Sequence, residues 1–102
     1  MTDESQITIP PSFIALYLEP DRTKPNAPRD VITQRYEFCE DLATMLTERA
    51  GEIKFDFGVT EDDVLQRIHR GLVADGSGVD PAEARWVVTR LAELLAWTAL
   101  DV

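Results

Sequence analysis

ITQRYEFCEDLATMLTERAGEIKFDF, residues 32–57, is the stretch that decides the fold class. Its apolar positions Ile32, Tyr36, Cys39, Ala43, Leu46, Ala50, Ile53 and Phe57 alternate steps of four and three. A mean step of about 3.5 residues places them on one side of a helix, as a seam that needs a partner along its length. The spacing predicts one long helix over about 29–57. Asn26 stands where it can cap the start, and Asp30 suits the positive end of the helix dipole. Gly51 costs about 1 kcal/mol relative to alanine inside a helix, which leaves open whether the helix is continuous through it or bends or breaks there. Gly58 ends the element, because glycine readily takes the left-handed C-terminal conformation.

Two further helices follow. Thr60, with Glu61, Asp62 and Asp63 behind it, opens a helix over about 60–74; acidic groups in a first turn favour the positive helix end, and Thr60 with Asp63 approximates a capping box. Val64, Leu65, Ile68, Leu72 and Val73 form its buried stripe. Asp75 to Gly78 (DGSG) reads as a turn. Asp80 caps a last helix over about 81–99, Pro81 takes its first position and Glu83 completes a capping box. Ala84, Val87, Val88, Leu91, Leu94, Leu95 and Thr98 line its core face.

Upstream the signal weakens. Residues 1–10 read as a flexible N-terminus with Ile7 and Ile9 as anchors. Pro10 and Pro11 set up a start, and residues 11–18 form either a short helix of about two turns or an extended segment, a choice that periodicity cannot make over so short a run. Residues 19–28 (EPDRTKPNAP) are a Pro-rich loop. The expected architecture is all-α: a small helical bundle of three main helices and a short N-terminal element, in a single domain over 11–102.

Composition narrows the function classes. The 102 residues suit one core; 44% are apolar and 28% charged, a globular profile. Net charge is −9, divided as −5 over residues 1–58 and −4 over 59–102. A field of this sign repels phosphate backbones and anionic lipid, so neither nucleic acid nor membrane is an expected partner. The densest basic group, Arg22, Lys24 and Arg29, is flanked by Asp21 and Asp30 and reads as a solvated loop. No apolar run approaches the roughly 18 residues of a membrane span. Asp3 and Glu4 stand where a signal peptide carries basic residues, and Cys39 is the sole cysteine. A cytoplasmic, reducing location is expected.

Lys24 and Lys54 do not follow glycine, so no P-loop forms. Gly76 and Gly78 run into Pro81 with no preceding strand, unlike a dinucleotide fingerprint. A calcium loop from Asp75 fails at Val79 and at Trp86, where a bidentate carboxylate is required. His69, the one histidine, lacks the companions of a zinc or di-iron site and reads as a boundary residue. Cys39 on the long seam reads as a small buried hydrophobe. Glu37, Glu40 and Asp41 lie off the seam and read as a solvated face. No catalytic residue, metal site or cofactor is expected.

One feature stands outside the stripes. On helical geometry Trp86 and Trp97 return to nearly the same angle, about 130° from the core centre of the last helix, and Arg90 shares their face. Two explanations compete. The N-terminal segment folds back so that Phe13, Ile14, Tyr17 and Leu18 cover the tryptophans, or the patch is an interface to a second copy or another protein, since Trp, Tyr and Arg dominate interface energies. The candidate interface is therefore Phe13, Ile14, Tyr17, Trp86, Arg90 and Trp97.

The stretches ITIPPSFIALY (7–17), QRYEFCEDLATMLTE (34–48), GVTEDDVLQRIHRGL (58–72) and WVVTRLAELLAW (86–97) together resemble a group of small proteobacterial proteins commonly labelled "ATPase with chaperone activity". The resemblance covers nearly the whole chain and carries no active-site motif. It implies a helper role beside a chaperone or protease ATPase; hydrolysis by the chain itself would need a phosphate cradle, a lysine and a metal-binding group in fixed geometry. The functional expectation is a non-catalytic protein-interaction module, an adaptor or regulator. The alternatives are a structural homodimer built on the long helix and, after it, an ATPase or chaperone-associated enzyme.

Overall fold

The computed structural model describes residues 8–74 and 76–97, and the fold is all-α, with no strand among them. A short helix α1 (Pro11–Ile14) runs into a 3-10 turn (Ala15–Tyr17), and three long helices follow: α2 (Arg29–Phe57), α3 (Glu61–Val73) and α4 (Pro81–Leu95). The chain groups into two compact units, Met1–Phe38 and Cys39–Val102, with the boundary inside α2.

In the first unit, Pro11 occupies the first position of α1, where its missing N–H is not needed. The Pro10 carbonyl accepts from the amides of Phe13 (2.9 Å) and Ile14 (3.2 Å). The Phe13 side chain is fully buried. Its ring meets Tyr36 edge-on at 5.6 Å and Tyr17 at 5.9 Å, the offset geometries that the aromatic quadrupole favours. Asn26 does not cap α2. The first helical bond runs from the Ile32 amide to the Pro28 carbonyl, which puts the cap position at Pro28. The Asn26 amide instead donates to the Tyr17 carbonyl at 2.7 Å, which closes the Pro-rich loop onto the 3-10 turn.

The second unit holds the rest of α2 with α3 and α4. Helix α2 continues through Gly51 without a break. It ends at Gly58, whose φ of 62° is the left-handed conformation expected there. The Asp63 amide donates to the Thr60 side chain at 3.1 Å, which caps α3. Ser77 ties the far end of α3 down by donating to the Leu72 carbonyl. At α4 the capping box is complete: the Glu83 amide donates to Asp80 Oδ1 at 2.8 Å, and the Asp80 amide donates to Glu83 Oε1 at 3.0 Å.

Helix α4 stops earlier than the 99 expected. Ala96 is left-handed (φ 60°), its amide donates to the Glu93 carbonyl at 3.1 Å, and the Trp97 amide reaches the Ala92 carbonyl at 2.8 Å. This is a Schellman closure with alanine where glycine is usual. Thr98 and Asp75, assigned to the core and to a turn, lie outside the described residues, as does Ile7.

Helices α3 and α4 pack on each other. The buried side chains of this unit include Cys39, Ala43, Ala50 and Ile53 from α2, Val64, Leu65, Ile68 and Leu72 from α3, and Ala84, Val87, Val88 and Leu91 from α4. Three residues assigned to core stripes are exposed instead: Phe57, Val73 and Leu94. Each sits in the last turn of its helix.

Candidate protein-binding face

The residues singled out from sequence fall in both units and differ in burial. Phe13 is fully buried, while Ile14 and Tyr17 are half-buried. Trp86 is only 8% exposed, so its ring is a core group in this conformation and not a contact surface. Trp97 is half-buried and lies beyond the end of α4. Because Ala96 turns left-handed, 100° per residue no longer applies at Trp97, and the shared face inferred for the two tryptophans loses its geometric basis.

Arg90 is engaged within its own unit. Its Nε lies 2.9 Å from Glu40 Oε1 and its Nη2 3.0 Å from Glu40 Oε2, while Nη1 reaches Glu93 Oε1 at 3.1 Å. These hydrogen bonds, those with Glu40 first and Glu93 second, raise the guanidinium further above its already high pKa. Glu40 is thus half-buried and ion-paired, whereas Glu37 and Asp41 are solvated as expected. Cys39 is fully buried and outside any disulfide, and His69 is half-buried. Among the described residues no group of three or more His, Cys, Asp or Glu is placed to hold a metal ion. No helix among them is long and apolar enough to cross a membrane.

A different feature emerges where α2 and α3 meet. A groove of about 440 Å³ runs between them. Helix α2 lines it with Leu46, Arg49, Ile53 and Phe57, and α3 with Arg67, Ile68, Gly71 and Leu72. The walls are apolar, and the two charged side chains among these residues are both arginines. Phe57 stands at one end, 61% exposed, with the Arg67 guanidinium over its ring at 5.4 Å. That stacking holds the ring beside the groove by a cation–π attraction. Arg67 also donates from Nε to Asp63 Oδ2 at 3.1 Å, and Arg49 lies 3.5 Å from Glu52.

Large apolar side chains stand out in water elsewhere on this unit. Phe55 is 88% exposed and Met45 69%. Scattered apolar residues are ordinary on a protein surface, so Phe55 alone implies nothing. The groove differs because its residues converge from two helices. Sequence reading assigned Leu46, Ile53, Phe57, Ile68 and Leu72 to core stripes and so passed over it. The available signal was the run of stripe residues up to Gly58 at the end of α2.

Compared with family models, with curated proteins and with solved structures, the chain has no significant match.

Proposed function

We propose that this chain acts by binding another protein, through the α2–α3 face of the unit Cys39–Val102, and not by chemistry of its own. The observation that carries this reading is the groove between α2 and α3, with an aromatic ring left 61% exposed at its end. An apolar cleft between two helices, flanked by arginine, has the composition of an interface core. Burying a ring such as Phe57 on association is favourable by roughly 25 cal/mol per Å² of apolar area before ordering costs are subtracted. The role is that of an adaptor or regulator, as expected from the sequence, with the contact moved from the tryptophan face to the α2–α3 face.

Affinity purification from the native cell tests this, with wild-type chain beside Phe57→Asp. Phe57 is exposed, so its replacement removes the apolar anchor without opening a buried site, and an unchanged circular dichroism spectrum checks that the fold is kept. A partner recovered with wild type and absent with Phe57→Asp supports the reading. Identical recoveries with both refute it. Titration with ATP in a calorimeter separates the enzymatic alternative: saturable heat at millimolar nucleotide would replace the binding role with a nucleotide-dependent one.

A further inference from the structure

We draw no further inference here: the strongest candidate, the apolar groove between α2 and α3 with Phe57 at its end, belongs to the face already described, and nothing in the structure shows what covers it.

Discussion

Arg90 and Glu40 meet as a two-pronged ion pair across fifty residues of chain, with Nε to Oε1 at 2.9 Å and Nη2 to Oε2 at 3.0 Å. The pair ties α4 to α2, and only a planar guanidinium can offer both prongs at once. In a double-mutant cycle in urea, Arg90→Ala and Glu40→Ala should show a coupling of about 1 kcal/mol, the upper range for partly exposed pairs. Arg90→Lys should recover only part of it. Strictly additive single effects would mean that the pair contributes nothing to stability.

Ala96 holds a conformation that suits glycine. A non-glycine residue in the left-handed region carries a penalty of roughly 1–2 kcal/mol, so Ala96→Gly should raise stability by about 1 kcal/mol after its entropic cost to the unfolded chain. The mirror experiment is Gly58→Ala, at φ 62°, which should lower stability by a similar amount. Both are read from urea midpoints at constant slope.

Trp86 and Phe55 should respond in opposite ways to truncation. Trp86→Ala empties a buried site and should cost about 3 kcal/mol or more. Phe55→Ser alters a ring that is 88% exposed and should stay within about 0.5 kcal/mol of wild type. Lost binding in a Trp86→Ala variant would therefore report unfolding before it reported an interface. In Trp97→Phe, emission from the remaining Trp86 should be shielded from acrylamide; quenching at the rate of free indole would contradict its burial.

Asp80 anchors the capping box that opens α4. Asp80→Ala removes one half of a reciprocal pair and should cost about 1 kcal/mol. Amide hydrogen exchange at Glu83, whose N–H donates to Asp80 Oδ1 at 2.8 Å, should accelerate in that variant. Unchanged protection there would indicate a different acceptor.

Signals confined to a few neighbouring residues were legible in the sequence. The alternating four-and-three spacing and Gly58 placed α2 at 29–57, and Asp80, Pro81 and Glu83 announced the start of α4, because caps and periodicity are local physics. Asn26 is not the cap of α2, because the first helical bond starts at the Pro28 carbonyl and the Asn26 backbone amide is held by the Tyr17 carbonyl in the loop. The stop at Leu95 was missed because alanine gives no sign of a left-handed turn. The candidate site was the least legible part. Periodicity marks which face of a helix is apolar, but not how far another helix covers it, so Phe57 read as core and the groove beside it went unseen. Glu40 read as solvated because its partner, Arg90, is distant in sequence.

The contact between α3 and α4 has a bearing on the order of assembly. These helices are neighbours in the chain, each with its own cap and joined by a short loop that Ser77 fastens. Their pairing closes a small loop, whereas the Arg90–Glu40 tie must close one of fifty residues, and closure entropy grows with loop length. The α3–α4 hairpin should therefore form first and present the surface on which the later turns of α2 condense, giving a fast folder dominated by local contacts.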